Sequence, residues 1–208
     1  MIQDYYSDFI PEHYFHVFNR AVGTDKLFLQ NENYQFFLSR VKDHILPVAD
    51  LFCYNLLPNH FHFFIRIKTE DELRIAYSLK HINKTNKLGL EQMPNFVLQQ
   101  WSNLFNSYAK SFNKIFGRKG RLFMESVKRS EIKNPDYFNA IVYYIHTNAI
   151  HHGLCNKIKD WQYSSYYKII SDSETFLKRD ELLDWFGGIK GFSKFHKQPP
   201  GFSGTPEV

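Results

Sequence analysis

The stretch YFHVFNRAV interleaves aromatic and β-branched residues with polar ones, and the segment 13–22 reads as a first strand. A turn follows. Tyr34, Phe37, Leu38, Val41 and Ile45 then recur at spacings of three and four, the period of a helix, which Pro47 closes. Two apolar runs, VADLFCYNLL and HFHFFIRIK, are joined by the turn residues Pro58 and Asn59 and read as a β-hairpin. The pattern next predicts helices over 71–88 and 95–116, a turn at 117–120 and a fourth strand over 121–132. Asn134 as N-cap and Pro135 at the first helical position open a further helix, which Gly153 ends. Beyond Trp161 the pattern weakens. The segment 173–187 reads as a short helix, and the Pro- and Gly-rich end, 197–208, as a mobile tail. The order strand, helix, hairpin, helices, strand, helix predicts an α+β fold, a four-stranded antiparallel sheet with helices packed on one face.

Composition narrows this picture. The 208 residues are 43% hydrophobic and 18% aromatic, ample for a core, so global disorder is excluded. The length suits one large domain, or one domain with an elaborated end. Cys53 and Cys155 form no CxxC pair, which argues against a zinc ribbon and for reduced thiols in a cytosolic protein. No signal peptide is expected from MIQDYYSDFIPEHY, and no apolar run approaches the ~20 residues that span a bilayer.

Within the second arm of the hairpin, His60 and His62 are two residues apart and therefore share one face of the strand, while Phe61, Phe63 and Ile65 share the other. Two imidazoles on one strand face suit adjacent coordination positions of a metal; the alternative is a pair of ordinary surface or hydrogen-bonded histidines. The helix AIVYYIHTNAI offers a partner. Tyr144 and Asn148 are four apart and lie on one helical face. An amide oxygen binds a divalent cation, and a phenol is a possible covalent nucleophile. The competing explanation is an aromatic stripe that packs the helix onto the sheet, which accounts better for Phe138, Ile141 and Tyr143. Two imidazoles and an amide oxygen, with open positions for phosphate oxygens or water, fit Mn²⁺ or Mg²⁺ rather than structural zinc. Such a cation polarises a phosphodiester and steadies its developing charge, help that a phenol with a pKa near ~10 needs at neutral pH.

The net charge of +5 is modest, but its distribution is not even. The segment NSYAKSFNKIFGRKGRLFMESVKRSEI carries Lys110, Lys114, Arg118, Lys119, Arg121, Lys128 and Arg129 against Glu125 and Glu131, with Tyr108, Phe112, Phe116 and Phe123 between them. Cations interleaved with aromatics suit single-stranded nucleic acid, where phosphates pair and bases stack; the alternative is a solvated helix face followed by a turn. Asn19 and Arg20, at the end of the first strand, are further candidates for phosphate contact.

YFHVFNRAVGTDKLF, LPNHFHFFIRIK, SYAKSFNKIFGRKGRLF and YYIHTNAIHHGL followed by DWQYSSY occur in the order found in REP-associated tyrosine transposases, single-tyrosine members of the HUH endonuclease superfamily. The chain resembles that family over about residues 13–167, most specifically in PNHFH and YIHTN. The resemblance implies a ferredoxin-like or RRM-like sheet. It implies that His60, His62 and Asn148 bind Mg²⁺ or Mn²⁺. It implies that Tyr144 attacks single-stranded, hairpin-forming DNA to leave a 5′-phosphotyrosine link and a free 3′-hydroxyl, with the basic segment 108–129 as the DNA groove. It implies a catalytic domain over 1–170, an extension over 171–208, a cytoplasmic, nucleoid-associated setting, and a monomer or a homodimer, the latter open to sharing its site between chains. Two other readings of the same residues stay open: a hairpin-binding module without catalysis, and a metal-dependent nuclease that uses water. Where the family usually has Pro after YIHxN, this chain has Ala149, which predicts that the helix runs on to Gly153.

Overall fold

The computed structural model describes residues 5–81, 87–124, 126–134 and 136–197. Four strands form one antiparallel sheet: β1 (Tyr14–Arg20), β2 (Ala49–Leu57), β3 (His60–Ile67) and β4 (Lys128–Glu131), in the spatial order β2-β3-β1-β4. The chain has the α+β, ferredoxin-like arrangement, with the first and third strands at the centre. The hairpin is as the sequence predicts, with Leu57 facing His60 across Pro58 and Asn59. β4 is shorter than the predicted 121–132. Residues 121–127 run instead as a loop tied to the end of β1, with Ala21 bridged to Phe123. Arg118 braces this loop through its ion pair with Asp25 and through the carbonyls of Gly120 and Arg121, so the backbone there is held without a ladder.

Helices cover both faces of the sheet. On one face lie α1 (Asn31–His44) and α3 (Met93–Ile115), which meet the odd-numbered side of β3. Phe37 and Trp101 pack on Phe61 and Phe63, and Phe105 packs on Phe61. This is the helical layer expected from the element order. The opposite face carries α4 (Asp136–His151) and α6 (Arg179–Trp185), because β3 offers Phe64 there as well. Phe138 and Trp185 both pack against it. Both faces of the central strands are therefore buried, which explains a β3 almost devoid of exposed residues.

The remaining elements close edges. α2 (Glu70–Lys80) starts at a capping box in which Thr69 and Glu72 satisfy each other's backbone donors. It is shorter than the predicted 71–88; residues 82–86 of that span lie outside the described residues, and 87–89 are not helical. Pro135 and the tail from 198 also lie outside them. The exposed edge of β2 is covered by the segment around DWQYSSY, where Leu56 N–H donates to the Tyr163 carbonyl (3.1 Å) and Ser165 N–H to the Tyr54 carbonyl (2.9 Å). α5 (Tyr166–Ile170) follows. The predicted helix over 173–187 narrows to α6, and α7 (Gly188–Phe195), absent from the sequence reading, packs Phe192 into the core. The segment past 170 thus forms part of the core layer beside α4.

Candidate metal and nucleophile site

Register fixes which side chains meet. His60, His62, Phe64 and Arg66 point to the α4 face of the sheet, opposite Arg20, Phe18, His16 and Tyr14 of β1. α4 runs to His151, past the position where the family usually has proline. It ends at Gly153 (φ +65) with Leu154 N–H on the Ala149 carbonyl and Gly153 N–H on that of Ile150. This paired closure is a Schellman motif, and it keeps the last turn of α4, including Asn148, helical.

The predicted residues converge within one chain. His60 Nε2 stands 3.1 Å from Asn148 Oδ1, the His60 and His62 rings lie 5.1 Å apart at 89°, and the Tyr144 ring is 5.4 Å from that of His62. All four side chains are buried, Tyr144 most shallowly at 9% exposure. The aromatic-stripe alternative holds for Phe138, which packs on Tyr14 and Phe64, and for buried Ile141. Tyr143 packs instead on Phe195 and His196 of the C-terminal segment.

Proton placement around His60 follows from its neighbours. Its Nδ1 lies 2.7 Å from Asn59 Oδ1, an oxygen that accepts only, so Nδ1 carries the proton and Nε2 presents a lone pair. That lone pair faces Asn148 Oδ1. Two acceptors facing each other at 3.1 Å suit neighbouring ligands of a cation. Ligands at right angles on an ion with bonds of about 2.1 Å stand about 3.0 Å apart. His62 adds a second sign of the same kind. Its Nδ1 pairs with His16 Nε2 at 2.9 Å, while its Nε2, buried from solvent, has no partner. An orphaned imidazole nitrogen in the interior is costly unless something binds it. The donor set therefore fits a divalent cation held by His60, His62 and Asn148. Among the described residues no group of three or more His, Cys, Asp or Glu is arranged to hold a metal, so the set differs from a carboxylate cage or a thiolate site.

Burial keeps these groups uncharged. It lowers His60 to about 4 and His16 to about 3, and pushes His62 well below the ordinary histidine value. Neutral imidazole is the metal-binding form. Burial also raises Tyr144 to about 12, against a smaller opposing effect of the Asn148 amide. The phenol thus starts as a protonated, poor nucleophile and needs positive charge beside it.

His16 was not singled out by sequence pattern. The available signal was the alternation of HVFNR, which places His16 and Phe18 on one face, but the pairing of β1 with β3 had to be seen before His16 met His62. His152, whose exposed ring lies 4.7 Å from that of His60, marks the mouth of the site and was likewise missed.

The basic residues divide into three groups. Arg20, exposed, faces His60 across the strands, and Lys128 lies on the site's face over the rings of Tyr5 and Phe18. Exposed Lys110 and Arg121 line a groove of about 560 Å³ between α3 and the 120–124 loop, with Lys114 and Lys119 exposed nearby in sequence. Asn19, Arg118 and Arg129, also expected at phosphate, are engaged within the protein. Asn19 is buried, with its amide on the carbonyls of Met124 and Ser126. Arg118 is the loop brace described above. Arg129 is buried and donates to the carbonyls of Tyr6, Ser7 and Val127.

No family model and no curated protein sequence matches the chain. Among solved structures it is similar to a REP-associated tyrosine transposase bound to a REP hairpin, with a TM-score of 0.56 and 14% identity, over 82% of this chain and 87% of that one. No helix of the described residues is long and apolar enough to cross a membrane. The chain therefore has the fold of a REP-associated tyrosine transposase.

Proposed function

We propose that the protein is a metal-dependent single-stranded DNA endonuclease and strand transferase that acts on hairpin-forming DNA through a covalent 5′-phosphotyrosine. The observation that carries this reading is the convergence of a buried phenol, an amide oxygen and two neutral imidazoles, one with an orphaned nitrogen, in a single chain. The fold supports it, since the similar structure is that of a transposase bound to a REP hairpin.

His60, His62 and Asn148 would hold Mg²⁺ or Mn²⁺, which when bound would polarise the scissile phosphate and favour ionisation of a nearby hydroxyl. His16 fixes the His62 ring through Nδ1, which leaves Nε2 unpartnered as the atom that would bind the cation. Asn148 lies beside His60 and one helical turn from Tyr144 on the same face of α4. Arg20 and Lys128 flank the face and draw in the backbone. Tyr144 Oη then forms a bond to phosphorus, the bond from phosphorus to the 3′ oxygen breaks, and the phenolic proton is replaced on balance by that of the freed 3′-hydroxyl. The link conserves the phosphodiester bond energy, so a second hydroxyl reverses the step and joins strands without a nucleotide cofactor.

The test uses a labelled hairpin oligonucleotide with single-stranded flanks and Mn²⁺. The expected product is a protein–DNA adduct that survives SDS and is absent from Tyr144→Phe. Cleavage that persists in Tyr144→Phe would replace this reading with a water-using nuclease, and tight binding without cleavage would replace it with a hairpin-binding module.

A further inference from the structure

Resting on that reading, we infer that the groove between α3 and the 120–124 loop is a binding pocket for one unpaired nucleobase of the single-stranded DNA near the scissile phosphate. Its floor is the rings of Phe105 and Phe123 with Ala109, its walls carry the exposed Asn106, Lys110 and Arg121, and its volume is about 560 Å³. Each part has a counterpart in a nucleotide. An apolar floor takes a base, a carboxamide offers a donor and an acceptor to a base edge, and two cations at the rim take the phosphates on either side.

The placement gives the pocket its role. Met124 N–H donates to the carbonyl of Arg20 (2.8 Å), and Arg20 is the strand partner of His60. Phe123 is bridged to Ala21, the next residue along β1. The pocket therefore opens at the end of the sheet where the two histidines begin, and a strand that lies over Arg20 reaches both. The loop is also built in advance. Val22 N–H donates to the Leu122 carbonyl (3.0 Å), Asn113 Nδ2 to that of Gly120 (2.8 Å), and the Arg118–Asp25 brace closes its base. A preformed cleft captures a base without first ordering its own walls, which favours selection of one position over general adhesion to the backbone. Arg118, which sequence placed among the phosphate contacts, thus shapes the pocket.

The experiment measures equilibrium binding of fluorescent hairpin oligonucleotides in EDTA, so that cleavage plays no part. An abasic residue is moved one position at a time through the unpaired segments. The expected result is a single position where loss of the base weakens binding roughly tenfold, with neighbours little affected. In Ala109→Phe, which fills the floor, that position becomes silent while the hairpin itself still binds. Asn106→Ala, at an exposed site, shifts which base is preferred there and serves as a second variant should Ala109→Phe fold poorly. A flat scan with the hairpin still bound and still nicked in Mn²⁺ overturns the pocket and leaves the proposed function standing. No hairpin binding at all overturns both.

Discussion

Two buried histidine clusters lie on opposite sides of α4, and they differ in one respect that matters. The second cluster joins α4 to the C-terminal segment. His146 Nδ1 is 2.9 Å from His196 Nε2, His146 Nε2 is 2.9 Å from Ser165 Oγ, and His196 Nδ1 is 2.9 Å from the Phe192 carbonyl. The proton order there is forced. A carbonyl only accepts, so His196 carries its proton on Nδ1 and accepts from His146 Nδ1–H, while the Ser165 hydroxyl donates to His146 Nε2 and itself accepts from Tyr54 N–H. Each ring nitrogen is matched. In the cluster of His16, His62 and His60, burial is as deep, yet one nitrogen has no partner and another faces an acceptor. Most buried polar atoms are matched, because each unmatched one costs about 1–3 kcal/mol, and Asn55 Oδ1 and Trp101 Nε1 are isolated exceptions outside either cluster. The latch carries no such vacancy, whereas a ligand site requires one.

The same substitution in the two clusters should therefore separate them. His62→Ala has the largest expected effect. Cleavage of a hairpin substrate falls by at least about 10³-fold, the equivalent of roughly 4 kcal/mol of lost charge stabilisation. Hairpin affinity in EDTA stays near that of the unaltered protein, because phosphate contacts dominate it, and Mn²⁺ no longer raises the melting temperature. Equal losses of affinity and cleavage would make His62 a fold residue, and the contrast would vanish. His146→Ala comes next. It leaves His196 and Ser165 unmatched in the core and opens a cavity, so stability falls by about 3 kcal/mol. Thermal melting should drop by roughly 6–12 °C for a chain of this size. The folded fraction retains Mn²⁺-dependent cleavage. A melting temperature unchanged within error would show that the latch contributes nothing.

The difference between the clusters also explains what the sequence revealed. The HxH pair and the Tyr144–Asn148 pair were legible because each sits within one element of strict period, where spacing alone decides the face. The β2–β3 hairpin was legible because the two turn residues Pro58 and Asn59 join its arms, whereas the order of strands in the sheet was only implied by the family resemblance. What stayed hidden depended on contacts between distant segments. His16 meets His62 only through the β1–β3 register, and His146 meets His196 only because α7 folds back beside α4. α7 itself has eight residues and three glycines in or next to it (Gly187, Gly188, Gly191), a weak local signal. Charge was the least transferable signal. The run from Lys110 to Arg129 was correctly basic, but nothing in it told that Arg118 braces a loop and that Arg129 turns inward to three carbonyls.

Acid offers the smallest and most graded probe of the latch. Burial lowers His196 to about 4, against a weaker upward pull from its bond to the Phe192 carbonyl, and burial puts His146 well below its ordinary value. In the unfolded chain both titrate near about 6.5. Above that pH neither state binds the proton, and the latch contributes fully. Between about 6.5 and about 4 the unfolded chain carries protons that the folded one refuses, so stability falls as pH falls. One such group contributes a slope of about 1.4 kcal/mol per pH unit in this window. His16, His60 and His62 shift in the same direction and steepen the total. Urea titrations of the unaltered protein and of His196→Gln between pH 5 and 6 should differ in slope by about that single-group amount, the variant being the flatter. Identical slopes would mean that His196 takes up its proton in the folded protein without penalty. The latch would then have room for an extra proton, and it would no longer stand as the saturated counterpart of the site around His62.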